Sequence, residues 1–543
     1  MSDVLLPLPY AMPLAGAALG LLLWRWQNAL RLLGLGILAA TVAAAIGVLM
    51  AVADRGVIAV QIGGWPAPLG ITLVADRLSA LMLLVSSTVL LAILLYAVGQ
   101  GVVGHSEAEP NFFYPAYLTL AAGVCLVFLA GDLFNLFVAF EVMLAASYVL
   151  LTLGPNPARM HAGMTYAVVS LTSSILFLTS VAVTYAATGT VNLADLSVRT
   201  ANLPEGLRTV LALMFLVVFG IKGAVAPLHL WLPDSYPAAI TKITAVFAAL
   251  LTKTAVYALI RTQTLLFPDG RIGTVLLVLA AATMLIGLLG ALTQQDIHRV
   301  LSFALVGHIG YLVFGLGLLS VAGLTGAIVY LVHHIVVQAT LFLVSDIMQD
   351  ETGETSLERL GGLAGSSAFL AALFFVPAMS LSGVPPLSGF VAKLALLEAG
   401  FGSDRTLGRA VAAVAVLTGL LTLIAMSRVW TLAFWRPHTP SGEPGPAPEP
   451  GERPDPNPGG RPDPDAGGRP DPPLGPEPGE RPGLSRPQRY SRGLVRAVTA
   501  GMVALGLAIA VFAGPLTSWS LQAAADLVDR TAYRQAVGEG RNP

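Results

Sequence analysis

The chain has 543 residues, of which 55% are hydrophobic and 11% charged, with a mean hydropathy of +0.76 and a net charge of −1. That composition excludes a soluble globular domain and points to a polytopic membrane protein. The near-zero charge offers nothing to a nucleic-acid partner, the one cysteine, Cys125, permits neither an intrachain disulfide nor a cysteine-held iron–sulfur cluster, and the lack of a P-loop pattern argues against ATP-driven transport.

A bilayer crossing takes about 20 apolar residues. On that rule the chain predicts an all-α protein of about 14 transmembrane helices, at roughly 4–24, 31–54, 77–100, 111–131, 133–153, 162–187, 206–230, 236–260, 273–294, 299–319, 321–348, 366–400, 407–434 and 494–518. The first lacks a small-residue cleavage site and reads as a retained helix. Between the second and third, residues 57–74 around Gly63-Gly64-Trp65-Pro66 read as a short extracytoplasmic hairpin. Residues 437–492 repeat Gly-x-Arg-Pro-Asp-Pro and are too poor in apolar groups to offset the entropy of ordering, so they read as a disordered Pro/Gly-rich linker. The tail from Ala523 to Val537 reads as a short amphipathic surface helix. Arginines occupy both sets of alternate loops, so charge does not orient the chain, and an even helix count places both termini on one side.

All four lysines, Lys222, Lys242, Lys253 and Lys393, lie inside hydrophobic stretches, whereas the 26 arginines sit mainly at helix ends and in loops. Base composition converts surface lysine to arginine without penalty, but arginine cannot replace a lysine that must lose its proton. Ionisable groups at membrane depth are expensive and mark ion pathways. Glu141, near the middle of the fifth segment, is therefore either a member of such a pathway or half of a helix–helix ion pair; Ser147 and Tyr148 read as packing residues. In the seventh segment Pro227 removes a backbone donor and frees the carbonyl of Gly223, beside Lys222. In the twelfth, Pro377 and Gly383-Val384-Pro385-Pro386 precede Lys393. Two interrupted segments at matching places are the mark of inverted-repeat transporters, which makes helices 4–8 and 9–13 the two inverted five-helix repeats. The competing reading of either lysine is a snorkelling interfacial residue.

Lys253 is mid-helix and is the natural link between the halves. Lys242 is nearer its helix start, with both roles open. His333 and His334 are adjacent and face different sides of one helix, so one can relay protons while each alone also fits a hydrogen-bonded core histidine. His308 and Asp132 read as weaker candidates near segment ends, and two histidines make a poor metal site.

Several stretches together resemble the antiporter-like subunits shared by Mrp-type cation/proton antiporters and respiratory complex I. They are Phe140-Glu141 with Ser147-Tyr148, Lys222 through His229-Leu230-Trp231-Leu232-Pro233, Leu251-Thr252-Lys253 before Tyr257, Gln295-Asp296-Ile297-His298-Arg299 through His308-Ile309-Gly310-Tyr311, and Gly383 through Phe390. They run in the family's order and span Val74 to Trp435. The stretch from Glu141 to Tyr148 and the stop after the fourteenth helix are most similar to D-type subunits.

The resemblance implies discontinuous helices 7 and 12 and a chain divided into helices 1–3 (1–110), a first repeat (111–260), a second repeat (273–435), the linker and a final helix with its tail (493–543). It implies that Glu141 pairs with Lys222, that Lys253 bridges inward, that His333 or His334 continues the path and that Lys393 ends it. No cofactor and no metal are implied. The partners would be H⁺, Na⁺ or K⁺, the lipid bilayer and the other membrane subunits of the complex, in the bacterial inner membrane. The function implied is a proton/cation-translocating subunit of a multisubunit Na⁺(K⁺)/H⁺ antiporter, a secondary transporter rather than an enzyme. A proton-pumping subunit of a redox-driven complex, of the complex I or membrane hydrogenase type, is the alternative, and a non-transporting scaffold is a third. Gln338 stands where related subunits often carry a lysine, and His298 replaces a more usual basic residue. Neither Lys242 nor the linker corresponds to a family feature.

Overall fold

The computed structural model describes residues 2–101, 110–154, 157–437 and 491–539. The 437–492 linker expected to be disordered therefore falls, but for its edges, outside the described residues. Among those described, eleven helices are long and apolar enough to cross a membrane. The other three expected segments are short or broken. The first is the 15-residue helix Leu8–Leu22, and the seventh and twelfth are interrupted. The chain is a multi-pass helical membrane protein.

Three helices form the centre. Thr241–Leu265 and Val321–Thr352 are buried along their whole apolar windows and Ile297–Gly317 nearly so, whereas Arg492–Val511 turns most of its surface outward. These three central elements carry Lys253, His308, His333 and His334. Apolar residues on every side suit a central helix here, because lipid tails and protein neighbours are equally apolar. One irregularity escaped sequence reading: Phe247–Leu251 forms a π turn within the eighth segment, just before Lys253. Such turns appear mostly at functional sites.

The expected hairpin is present. Ile58–Gln61 pairs antiparallel with Thr72–Ala75, Ile58 opposite Ala75 and Gln61 opposite Thr72. Its second strand holds the loop before the fifth helix, since the Thr72 carbonyl accepts from Gly131 N at 2.9 Å. Asp76, just after it, accepts from Ser79 N to cap the helix Arg77–Gly99 and also takes both Arg261 nitrogens, at 2.5 and 2.8 Å. Both partners are buried.

The tail differs from the surface helix expected at 523–537. It forms two helices, Ala513–Val528 and Thr531–Glu539, folded back over the hairpin face. Specific polar contacts draw it in. Arg77 pairs with Asp526 at 2.5 Å, Trp519 Nε1 donates to the Arg77 carbonyl, and Arg534 donates to Ser197. Tyr533 lies over the Arg261 guanidinium at 5.4 Å, opposite Tyr257 at the same distance.

Removing one partner of a buried pair strands the other charge, at a cost of about 3–5 kcal/mol. Arg261→Ala and Asp76→Ala should therefore each lower the melting temperature of the detergent-solubilised protein clearly, while Arg271→Ala, on an exposed pair, should leave it nearly unchanged. Equal melting of all three would show that the Asp76–Arg261 pair does not anchor this face.

Candidate functional site

The seventh segment ends its first helix, Glu205–Lys222, at Lys222 itself. Ala224 then adopts φ 55, a left-handed conformation that halts helical hydrogen bonding, and the chain resumes as Trp231–Ser235. The break is therefore a stop five residues ahead of Pro227. The Gly223 carbonyl, beside Lys222, is not the partner of the ammonium. Lys222 Nζ donates instead to Ser174 Oγ at 3.2 Å, and Ser174 in turn donates to Glu141 Oε1 in a very short hydrogen bond. Glu141 and Lys222 are thus joined through a hydroxyl from Pro157–Thr188 and make no direct ion pair within 4.0 Å. Lys222 also faces the Phe140 ring at 5.3 Å, as a cation over an aromatic quadrupole. Beside it lies a cavity of about 20 Å³, lined by Phe140, Ser170, Lys222 and Trp231 among others. One ordered water needs roughly 10–15 Å³.

Lys253 is fully buried and its Nζ donates to the Ala248 carbonyl inside the π turn. The turn supplies an acceptor one helical turn below the ammonium. Gly223, next to Lys222, lies so close to this helix that a side chain there would come within 3.6 Å of Ala255 Cβ. The broken seventh helix and Lys253 are therefore neighbours.

Beyond Lys253 the histidines gather. His308 Nδ1 and Tyr330 hydroxyl share a very short hydrogen bond, and the His308 ring lies 5.3 Å from that of His334. Neither ring nitrogen of His334 has a partner. His333 turns the other way and meets Ser388 Oγ at 2.9 Å, at the start of Ser388–Phe401. Lys393, on that helix, donates to the Ser382 carbonyl at 2.9 Å and lies over the Tyr311 ring at 5.1 Å. The accepting carbonyl belongs to the last residue of Ala368–Ser382, so the break in the twelfth segment provides the partner for its lysine. Gly383, at φ 89, makes the turn, and a side chain there would strike Lys393 Cδ at 2.8 Å.

Residues 130–422 match the family described as NADH:quinone oxidoreductase/Mrp antiporter, TM. The chain is 37% identical over 487 residues to the D-type subunit of the Na(+)/H(+) antiporter of Alkalihalophilus pseudofirmus, a match covering 89% of each. The chain belongs to this antiporter family. Among solved structures it is similar to a chain of the Mrp complex from Dietzia sp. DQ12-45-1b, with a TM-score of 0.84, 34% identity and 99% coverage of both chains. A chain of respiratory complex I from Thermus thermophilus, 23% identical, covers 96% of this chain and 99% of its own with a TM-score of 0.74, which shows the fold alone.

Within this antiporter-family chain, Lys222, Lys253, His333, His334 and Lys393 are buried and Glu141 is half-buried, with His333 and His334 facing different neighbours. Sequence reading undervalued His308. It is the twelfth residue of its 21-residue helix, fully buried, and not near a segment end. It missed Ser174, Tyr330 and Ser388 as links. Ser173-Ser174 within an apolar helix was the available signal, but serine also serves packing by bonding backbone carbonyls, as Ser180 does here. Asp132 is a helix cap at the hairpin face, accepting from Asn135 N at 2.6 Å. Burial pushes its carboxyl up to about 6. No cluster of three metal-ligating side chains occurs among the described residues.

Gly389 tests the join at the twelfth segment. A methyl there would fall 1.8 Å from the Ser380 carbonyl and 2.9 Å from His333. Overpacking costs about 1–3 kcal/mol, so Gly389→Ala should lower the melting temperature and the yield of folded protein. Gly365→Ala, where nothing lies within 4 Å, is the control that should not.

Proposed function

We propose that this chain is a proton/cation-translocating subunit of a multisubunit Na⁺(K⁺)/H⁺ antiporter, set among other membrane subunits in the bacterial cell membrane. The observation that carries this reading is the set of buried Lys, Ser and His side chains, with the half-buried Glu141 joined to Lys222 through Ser174, in a chain 37% identical to a relative named as the D-type member of a Na(+)/H(+) antiporter. Charges at membrane depth are retained where an ion passes.

Helices 4–8 and 9–13 act as inverted repeats. Supporting this, Asp132 caps the fifth helix and bridges to Asn192, while Asp296 caps the tenth and bridges to Ser356. The same device recurs five helices later, after an odd number of crossings, and so on the opposite face. The repeats make two half-sites, one around Lys222 and one around Lys393, with Lys253 and the histidines between them.

Protonated Lys222 is held by Ser174, whose hydroxyl is oriented by Glu141. When that bridge opens, the ammonium loses its acceptor in a low-dielectric setting, and its proton passes toward Lys253 through the small cavity and the break at Gly223. Across the serine bridge, two unit charges roughly 5 Å apart interact by about 3 kcal/mol at an effective dielectric of 20, so changing the Glu141–Lys222 separation is enough to move a proton. From Lys253 the charge reaches His334 and His308, then Tyr330, His333 and Lys393. The membrane field supplies about 2.3 kcal/mol per charge per 100 mV. No step requires a redox centre. A proton-pumping role in a redox-driven complex uses the same fold but does not respond to added cation.

The deciding experiment is a pH-gradient assay in everted vesicles from an antiporter-deficient host carrying the full set of neighbouring subunits. NaCl or KCl added after the gradient forms should collapse it. Lys222→Ala, Glu141→Ala and Lys393→Ala should each abolish the collapse with the complex still assembled. Ser174→Ala should slow it roughly tenfold, against which Ser174→Thr, which keeps the hydroxyl, should recover. A wild-type complex indifferent to both salts would favour the redox-driven reading, and normal exchange in all three charge variants would eliminate the relay.

A further inference from the structure

Lys242 has no place in the relay proposed above, yet it sits in a polar cluster of its own. Its Nζ donates to Gln100 Oε1. The Gln100 amide nitrogen donates in turn to Asp346 at 2.6 Å and Asp350 at 2.8 Å, and the Tyr96 hydroxyl donates to Asp346 at 3.0 Å. The cluster joins the end of Arg77–Gly99, the start of Thr241–Val246 and the end of Val321–Thr352. It therefore lies at the membrane face opposite the hairpin. Asp350 is exposed and Asp346 buried, four residues apart and so on one face of their helix. The Gln100 amide thus holds both carboxylates side by side, with the Lys242 ammonium on the other atom of the same side chain.

A second, independent observation leads inward. Buried polar atoms without a hydrogen-bond partner include His298 Nε2, Gln338 Oε1, both ring nitrogens of His334 and Thr252 Oγ1. Each leaves a polar group stranded at a cost of about 1–3 kcal/mol unless water satisfies it. They are not scattered. His298 stacks on Phe342 at 6.4 Å, and Phe342 lies one helical turn from Asp346 on one side and from Gln338 on the other. Gln338 and His334 follow at eight and twelve residues before Asp346 on the same helix, about 18 Å in all at 1.5 Å per residue, and Thr252 adjoins Lys253.

The hairpin end of the Lys253 helix is closed by contrast. Tyr257 donates to the Phe128 carbonyl, Arg261 is locked to Asp76, and Tyr533 covers the guanidinium.

We propose that Asp346 and Asp350, balanced by Lys242 through Gln100, form a proton-loading port at the face opposite the hairpin, and that the strip of unpartnered groups past His298 and Gln338 is a hydrated path from it to His334 and Lys253. A proton from bulk water protonates the Asp350–Asp346 pair. It then leaves Asp346 along water toward the imidazole of His334, and the carboxylate is restored for the next proton. The port rests on the proton-translocating reading of the preceding section.

The same vesicle assay separates the two. Asp346→Asn keeps shape and hydrogen-bond acceptance but cannot take up a proton. It should cut NaCl- or KCl-driven exchange by about a hundredfold, on the scale of one acid–base group, with the complex assembled, and Asp346→Glu should recover exchange. Gln338→Leu removes an unpartnered buried acceptor together with the Nε2 donation to the Leu301 carbonyl. It dries the path and, with assembly checked on a gel-filtration profile, should also cut exchange strongly. Wild-type exchange in both Asp346→Asn and Gln338→Leu would overturn the port while leaving the antiporter reading intact. Should Asp346→Asn fail to assemble, Gln338→Leu decides alone: lost exchange supports the path and full exchange refutes it. No cation response in the wild type would instead strike at the antiporter reading itself.

Discussion

An ionisable side chain in hydrocarbon needs a hydrogen-bond partner supplied by the protein, because no water is at hand to solvate it. Much of what is irregular in this structure answers that need. The π turn offers a carbonyl to Lys253, the break in the twelfth segment offers one to Lys393, and Pro157–Thr188 offers a serine to Lys222. In each case the nitrogen meets an oxygen and not a permanent counter-charge. A direct buried ion pair holds its proton firmly, whereas a neutral acceptor leaves the ammonium easier to deprotonate, as the proposed relay requires.

The Asp76–Arg261 pair shows the opposite solution in the same molecule. It is direct, bidentate and buried, flanked by two tyrosine rings, and built with arginine, which does not release its proton. It lies two helical turns beyond Lys253 on the same helix. One helix thus carries a group that can move a proton at its centre and a group that cannot at its hairpin end. The C-terminal helices press on the second and complete the closure.

The same helix cap recurs on the two faces of the molecule. Asp132 and Asp296 perform one capping role on opposite faces, so a single local design is presented to the two sides of the membrane. The two broken helices nevertheless use their lysines differently. Lys222 precedes its break and reaches a neighbouring helix, while Lys393 follows its break and reaches back to its own segment's carbonyl. In the relay proposed above, that asymmetry would let the two lysines hold a proton with different strength.

Hydropathy by itself determined the membrane class and most helices, because a bilayer demands long apolar runs whatever their neighbours. Lysine retained among arginines marked Lys222, Lys253 and Lys393, and Pro and Gly marked both broken segments, since those residues act on the backbone locally. The tertiary structure alone decided the partners. Ser174 stands between Glu141 and Lys222, His308 joins His334, and Lys242 meets Gln100 and the Asp346–Asp350 pair, each across helices far apart in the chain. Serine and glutamine carry no signal that separates a relay from packing, and a π turn leaves no compositional trace. Position along the chain identifies which groups are costly to bury; only packing settles which oxygen satisfies them.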